Sequence, residues 1–129
     1  HHAPEPTETA PSDLIIDAIL GSGMNSPPRE PLSNCIDWIE QQEELVLSVD
    51  LPSGLVADSG ETPGAAVTAN STVALCIPHM GLLLNEGPAR AGEVWICPIG
   101  APRTLLPRGA PVFPPEPHRL PSNSISPLQ

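Results

Sequence analysis

Residues Asp13 to Gly54 read DLIIDAILGSGMNSPPREPLSNCIDWIEQQEELVLSVDLPSG, and they determine the architecture that the sequence predicts. Asp13–Leu20 is a near-continuous apolar run, as in a strand covered on both faces, and Leu45–Val49 predicts a second buried strand. Between them, apolar residues recur at helical spacing, at Leu32, Cys35, Ile36 and Ile39. We therefore predict a right-handed β-α-β crossover, in which both following loops open on the same edge of the sheet. Open α/β sheets bind ligands at that edge.

Asp17 interrupts the first apolar run. A lone buried carboxylate costs several kcal/mol or changes its protonation state. Asp17 is therefore expected to meet backbone donors, a buried arginine or a cation. A purely structural role, in which the carboxylate caps a nearby loop, is the alternative that the pattern leaves open.

Two glycines and a second aspartate follow the strands at the same predicted edge. The Gly-Ser-Gly sequence at Gly21–Gly23 leaves room either for a sharp turn or for a ligand close to the backbone. It is not a GxGxxG dinucleotide fingerprint, because Ser26 stands where the third glycine would be. Asp50 ends the second strand, where an aspartate either contacts a ligand or stabilises an Asx-type turn.

The rest of the patterned chain completes an α/β fold with a mostly parallel sheet. Ser71–Ile77 and Glu93–Ile99 predict two further strands. Gly87–Gly92 predicts a turn, and a short helical turn is expected near Ala65–Asn70. His79 stands alone in the loop after the third strand. We expect it at the surface or beside a site residue rather than as a general base.

Proline separates the patterned chain from its ends. Eight of the 19 prolines fall in residues 102–129 and three precede residue 13. A chain of 129 residues is long enough for one domain and too short for two. We place a partial domain at residues 13–101. Residues 1–12 are expected to be flexible, and residues 102–129 to form a proline-rich tail that is disordered or loosely attached.

Charge and cysteine usage exclude several classes of protein. The net charge is −10, with five arginines and no lysine, and such a surface repels nucleic-acid phosphates and anionic lipid. No apolar run approaches the length of a membrane span. The three cysteines are widely spaced and form no CxxC pair, so we read them as small buried residues in a reducing cytoplasm. We therefore expect a cytoplasmic protein that binds neither nucleic acid nor membrane.

Several motifs, in the right order and at compatible spacing, carry a family resemblance. They are DLIIDAILGSG from Asp13, PREP from Pro28, SVDLPSGL from Ser48 and GEVW from Gly92, followed by Ile99-Gly100. Together they resemble the second half of the NAD(P)H-hydrate epimerase domain, also called the YjeF N-terminal domain, in its bacterial form. The resemblance covers roughly residues 13–102.

The resemblance implies a fold and an activity. The family fold is a three-layer α/β/α sandwich of Rossmann type, usually a homodimer. The family repairs NADH and NADPH that have been hydrated on the nicotinamide ring, and the epimerase interconverts the R and S forms at the hydroxyl-bearing carbon. A dehydratase that uses ADP or ATP, often fused to the epimerase in bacteria, then removes water from the S form.

The resemblance also implies roles for individual residues. Asp17 and Ser53 are similar to ligands of a potassium ion, for which several oxygen atoms are required. Asp50 is similar to the aspartate that contacts the hydrated cofactor, and it is our candidate for an acid/base residue. The loop expected to wrap the substrate comprises Gly21, Ser22, Gly23, Met24, Asn25, Ser26 and Pro27.

The chain also departs from the family. Residues 1–12 contain no glycine and do not match the family's first half, which supplies other cofactor contacts, and the chain begins His1-His2 without methionine. We therefore expect a fragment that holds about half of an active site. Two alternatives remain open, a non-catalytic binding or dimerisation module and a truncated, inactive gene product.

Overall fold

The predicted β-α-β unit forms one side of a five-stranded sheet. A computed structural model describes residues 12–109 and 116–121 of the chain. The elements of these residues are β1 Leu14–Asp17, α1 Leu32–Glu40, β2 Leu45–Val49, β3 Ser71–Leu75, α2 Gly87–Ala91, β4 Glu93–Cys97 and β5 His118–Arg119. Single-turn 3₁₀ helices lie at Met80–Leu82 and Arg103–Leu105. The strands are ordered β1-β2-β3-β4-β5, with the first four parallel and β5 antiparallel to β4.

The strand register brings the carboxyl ends of β1, β2 and β3 to one edge of the sheet. Asp17 is the register partner of Ser48, and Val49 is the register partner of Val73. Because these strands are parallel, the loops that follow them open on the same edge, as the sequence predicts. The predicted α/β class with a mostly parallel sheet is therefore confirmed.

Both helices pack on one face of the sheet. Ile36 of α1 joins Val46 of β2 in one core cluster, and Ala91 of α2 belongs to a second cluster. The other buried members of that second cluster are Leu51, Leu55, Ala57, Ala74, Leu82, Val94 and Ile96. On the opposite face Ile16 and Leu45 are 62% and 58% exposed. The prediction that β1 is covered on both faces is thus wrong for the described residues, which supply two of the three expected layers.

Local backbone geometry shortens three of the predicted strands. β1 ends at Asp17, because the chain turns away from the sheet and Leu20 N donates a hydrogen bond to Ser53 Oγ, in the turn after β2. β3 stops at Leu75, because Cys76 adopts a left-handed φ of 68°. β4 stops at Cys97, before a proline that cannot donate to the ladder.

Two loop predictions are wrong. Gly87–Gly92, predicted as a turn, contains the helix α2, whose first turn accommodates a proline. No helical turn forms near Ala65–Asn70. Val67 in that segment instead donates a hydrogen bond to Ser53 O at 2.8 Å.

Part of the proline-rich tail joins the sheet. Arg119 of β5 is the register partner of Trp95, and Leu120 N donates to Val94 O at 2.8 Å. Arg119 also lies 3.3 Å from the Glu93 carboxylate. The expectation of a loosely attached tail is therefore wrong for residues 118–120, whereas the predictions for residues 1–11, 110–115 and 122–129 lie outside the described residues.

Two further sequence predictions concern the burial of the cysteines and the presence of membrane spans. All three cysteines are free and partly buried, rather than fully buried. In the portions that the structure describes, no helix has the length and apolar character needed to cross a membrane.

Candidate functional site

Asp17 lies at the centre of a buried hydrogen-bond cluster at the end of β1, and its side chain has no exposed surface. Oδ2 accepts hydrogen bonds from Ser48 Oγ at 2.7 Å and from Ser53 N at 2.8 Å, and Oδ1 accepts one from Ser53 Oγ at 2.6 Å. Ile19 N adds a longer contact to Oδ1 at 3.4 Å. Of the partners expected for this carboxylate, backbone donors are present, and the hydroxyls of Ser48 and Ser53, which were not expected, supply its other hydrogen bonds. We call Asp17, Ser48 and Ser53 the Asp17 cluster.

Ser53 joins the Asp17 cluster to the loops on either side. Its hydroxyl accepts a hydrogen bond from Leu20 N at 2.9 Å, and its carbonyl oxygen accepts one from Val67 N at 2.8 Å. Gly54 follows with a left-handed φ of 94°. The cluster therefore ties the end of β1 to the turn after β2, which is the loop-capping role that the sequence leaves open.

The Asp17 cluster does not, as it stands, fit the predicted potassium site. An ionised carboxylate offers about four lone-pair positions, and protein donors contact Asp17 four times. The two predicted ligands, Asp17 and Ser53, are bonded to each other rather than aimed at a common empty position. Potassium binding stays a prediction, and no chemical step is assigned to it.

Asp50 lies at the same edge of the sheet but outside the Asp17 cluster. Its backbone adopts a left-handed φ of 70°, which Asn and Asp tolerate better than other non-glycine residues. Its N–H donates to Val73 O at 2.7 Å, which fixes the turn against β3. The side chain is 21% exposed, and Oδ2 lies 3.3 Å from His79 Nε2. The structure thus buries one predicted site aspartate and leaves the other open to a ligand.

The predicted substrate loop forms an open depression of about 320 Å³ beside the start of α1. The depression is lined by Leu20, Gly21, Gly23, Met24, Ser26, Pro27, Pro28, Arg29 and Leu32. Ser22 and Asn25 are exposed but do not line it, and neither does Asp50. The structure therefore gathers five of the seven loop residues in one wall and does not bring Asp50 into that depression.

The two loop glycines are not required by the turn. Neither Gly21 nor Gly23 has a left-handed φ, and a Cβ built on either would meet no atom within 4 Å. The sequence left two hypotheses for these glycines, a sharp turn or a ligand close to the backbone. The backbone conformation here does not require glycine, so the sharp turn does not explain them. Open space beside the backbone is what a ligand that approaches closely requires.

His79, expected at the surface or beside a site residue, is partly exposed and lies beside Asp50, a specific pairing that the sequence did not reveal. The two residues are 29 positions apart in the chain. They meet because each follows the carboxyl end of one of two adjacent parallel strands, β2 and β3. That topological relation is the one signal in the sequence from which the pair could have been inferred.

Comparison with known families identifies the fold. The profile of the family described as YjeF-related protein N-terminus matches residues 1–81 of the chain. The chain belongs to this family. The resemblance carried by the sequence motifs is therefore confirmed.

Curated YjeF-type relatives are longer proteins. The chain is 46% identical over 99 residues to the bifunctional NAD(P)H-hydrate repair enzyme Nnr of Hyperthermus butylicus, and 39% identical over 97 residues to that of Salinibacter ruber. Each match covers 75% of this chain and 18% of the relative. It is 34% identical over 105 residues to the NAD(P)H-hydrate epimerase of Dehalogenimonas lykanthroporepellens, across 81% of this chain and 41% of the relative. The chain thus spans less than half the length of these relatives.

A solved structure has a similar fold. The crystal structure of yeast ynu0, YNL200c, superimposes with a TM-score of 0.62 at 20% sequence identity. The match covers 84% of this chain and 47% of that chain. The likeness supports the α/β architecture and carries no information on the site.

Proposed function

We propose that the chain takes part in the epimerisation of hydrated NADH and NADPH, with Asp50 as the acid/base residue. The observation that carries the proposal is the position of Asp50, a partly exposed carboxylate in a left-handed backbone conformation at the ligand-binding edge of the sheet. A strained conformation at a ligand-binding edge is typical of functional residues. Membership of the YjeF-type family, whose relatives include named NAD(P)H-hydrate epimerases, supports the same assignment.

One route of epimerisation shows what a carboxyl group does at this position. Protonated Asp50 donates its proton to the hydroxyl oxygen of the substrate, and the carbon–oxygen bond breaks as water leaves with the electron pair. The ring stabilises the resulting cation, and water adds to the opposite face of the same carbon. The proton released by the added water returns to Asp50 through solvent, so that the residue ends as it began and only the configuration has changed.

The depression beside α1 supplies a wall for the rest of the substrate. Gly21 and Gly23 leave space for an approaching ring or ribose, and Met24 offers an apolar surface. We propose that the loop Gly21–Pro27 binds the substrate while Asp50 reaches the hydroxyl-bearing carbon. Because the depression and Asp50 are separate, the substrate must span from one to the other.

The relatives extend the proposal to partners. Those of Hyperthermus butylicus and Salinibacter ruber are named bifunctional NAD(P)H-hydrate repair enzymes, which supports a functional link between this chain and a dehydratase that uses ADP or ATP. A homodimer is a further part of the proposal, and analytical ultracentrifugation tests it. Potassium dependence would require oxygen ligands beyond the mutually bonded Asp17 and Ser53.

The experiment that tests the proposal is a chromatographic assay of conversion of R to S hydrated NADPH. It is run with the chain alone and with the N-terminal half of a relative's epimerase domain added. We expect Asp50→Asn to lower kcat by about 100-fold or more, because a general acid/base group is lost. Asp37→Asn removes an exposed acid from α1 and serves as the matched control, with an expected change of less than about twofold.

Two results would contradict the proposal. Full turnover by folded Asp50→Asn would remove the acid/base role. Absence of conversion by the folded chain under both conditions, together with measurable binding of hydrated NADPH, would favour the non-catalytic module.

A further inference from the structure

We propose that His79 is the positioning residue of Asp50 and holds one carboxylate oxygen so that the other faces the ligand. The proposal rests on the function assigned to Asp50 above. His79 Nε2 lies 3.3 Å from Asp50 Oδ2, with the two side chains 32% and 21% exposed. Across the described residues, no protein donor contacts Asp50 Oδ1. The pair therefore has one oxygen bound to the protein and one oxygen available.

The backbone of Asp50 is held before any ligand arrives. Its N–H donates to Val73 O at 2.7 Å, and the following residue, Leu51, donates to Val49 O at 2.9 Å. These two bonds enclose the left-handed φ of 70°. The carboxylate consequently leaves the sheet in a defined direction, and only its side-chain torsions remain to be fixed.

The backbone of His79 is held equally firmly from the other side. Its carbonyl oxygen accepts a hydrogen bond from Leu82 N at 3.1 Å, which begins the 3₁₀ helix Met80–Leu82. Gly81 N donates to Ala57 O at 2.6 Å, and a Cβ on Gly81 would lie 2.2 Å from Val56 O. The close approach explains why residue 81 is glycine, and the hydrogen bond to Ala57 fixes the segment that carries the imidazole beside Asp50.

A fixed imidazole beside a carboxylate has a specific consequence. With hydrogen on Nε2, the ring donates to Asp50 Oδ2 and removes the freedom of the carboxylate to rotate. Catalytic groups depend on supporting residues of this kind for their orientation. The competing explanation is an ordinary surface ion pair, which would leave both the geometry and the chemistry of Asp50 unchanged when removed.

The first experiment needs no activity. Ring 15N–1H correlation spectra of the full chain are compared between the wild type and Asp50→Asn. We expect the Nε2 resonance of His79 to shift, while the ring resonances of His118, in β5, stay in place as the internal control. An unchanged His79 resonance would overturn the proposal, because the pair would then not form in solution.

The second experiment separates positioning from simple structure by turnover. We expect His79→Ala to lower kcat by about tenfold or more with KM within about twofold, and His79→Gln, whose amide can reach the position of Nε2, to restore most of it. His118→Gln is the matched control, with turnover unchanged. Turnover in His79→Ala equal to wild type, or a loss in His79→Gln as deep as in His79→Ala, would overturn the positioning role. If the wild-type chain converts no substrate, either alone or with the N-terminal half of a relative's epimerase domain added, the proposed function fails, and the spectra then decide whether the His79–Asp50 pair forms.

Discussion

The Asp17 cluster and the Asp50–His79 pair each contain an aspartate at the same edge of the sheet, but the two aspartates have different roles. Asp17 is buried and receives four protein donors. Asp50, one strand away, is partly exposed and has a single protein partner for its side chain among the described residues. A carboxylate whose lone pairs are all taken stabilises the fold, whereas one with a free oxygen can serve a ligand.

This contrast also separates two meanings of a site residue. Both aspartates are implied by the family motifs. The hydrogen bonds distinguish their roles. Asp17 binds Ser53 in the turn that begins at Asp50, whereas the Asp50 side chain is partly exposed to solvent. Loss of the first should therefore be seen in unfolding, and loss of the second in turnover.

The sharpest test makes the same chemical change at both positions. Asp17→Asn replaces one acceptor oxygen with an NH2 group, which faces a buried donor of Ser48 or Ser53, and it removes the charge that strengthens the remaining bonds. We therefore expect a loss of about 3–5 kcal/mol of stability. Asp50→Asn keeps a residue that tolerates the left-handed backbone, and we expect a loss of less than about 1 kcal/mol. Urea unfolding followed by the fluorescence of Trp38 and Trp95 measures both.

A potassium series distinguishes the closed cluster from an ion site. If the cluster is closed, the unfolding midpoint of the wild type is the same in potassium and sodium salts. A midpoint that rises in potassium for the wild type and not for Asp17→Asn would show that Asp17 holds the ion. Equal stability of Asp17→Asn and Asp50→Asn would remove the contrast altogether.

Local patterns were sufficient for the elements whose limits are local. β2 was predicted to the residue, because acidic residues precede Leu45 and a turn sequence follows Val49. α2 was missed because Gly87 and Pro88 favour turns, while the reason for Gly87 is distant. A Cβ there would lie 1.8 Å from Gly81 O, so the glycine serves packing rather than a turn.

The site was predictable only as far as the strand topology. The parallel strands place Asp17 and Asp50 at one edge, and the sequence contains that information. Whether Asp17 meets a cation or the hydroxyls of Ser48 and Ser53 depends on the exact placement of those side-chain oxygens, which no sequence pattern encodes. The Asp50–His79 contact likewise arises from the loop after β3, whose path is set by contacts with Ala57.

Two glycines sharpen the comparison at a smaller scale. Gly54, beside the closed cluster, has a φ of 94° and a Cβ there would lie 2.1 Å from Ala65 O. We expect Gly54→Ala to cost about 2–3 kcal/mol of stability. At Gly23, in the open loop, an added Cβ would meet no atom within 4 Å, so Gly23→Ala should change stability by less than about 1 kcal/mol.

The Gly23→Ala variant also tests substrate binding. If the space beside Gly23 receives the substrate, Gly23→Ala raises KM for hydrated NADPH while its urea midpoint stays near that of the wild type. Unchanged KM would show that the substrate does not approach this part of the loop. A Gly54→Ala chain as stable as the wild type would instead argue against the tight turn after Ser53.

Substitution of Glu86 is expected to have the smallest effect on stability. Glu86 is the most exposed of the three carboxylates, after buried Asp17 and partly exposed Asp50. Its Oε2 accepts a hydrogen bond from Thr62 Oγ1 at 2.7 Å and lies 3.4 Å from Arg90 Nε. The Thr62 hydrogen bond is the main cause that lowers the pKa of Glu86 below its usual 4.5; desolvation opposes it, and the hydrogen bond and charge of Arg90 reinforce it. Because the pKa is lower in the folded chain, the stabilisation is present above pH 4.5 and disappears as the pH falls through the folded value.

Glu86→Gln should therefore have a slightly lower urea midpoint than the wild type at neutral pH, and the gap should close as the pH falls below 4.5. Glu43→Gln is the matched control, since Glu43 is an exposed acid near the end of α1, and its small difference from the wild type should not follow the same course. A gap that widens in acid would mean that protonated Glu86 is the form bound to Thr62. Side chains with more than half their surface in water are weak contributors, so a large gap at any pH would contradict the ranking from buried to exposed carboxylates.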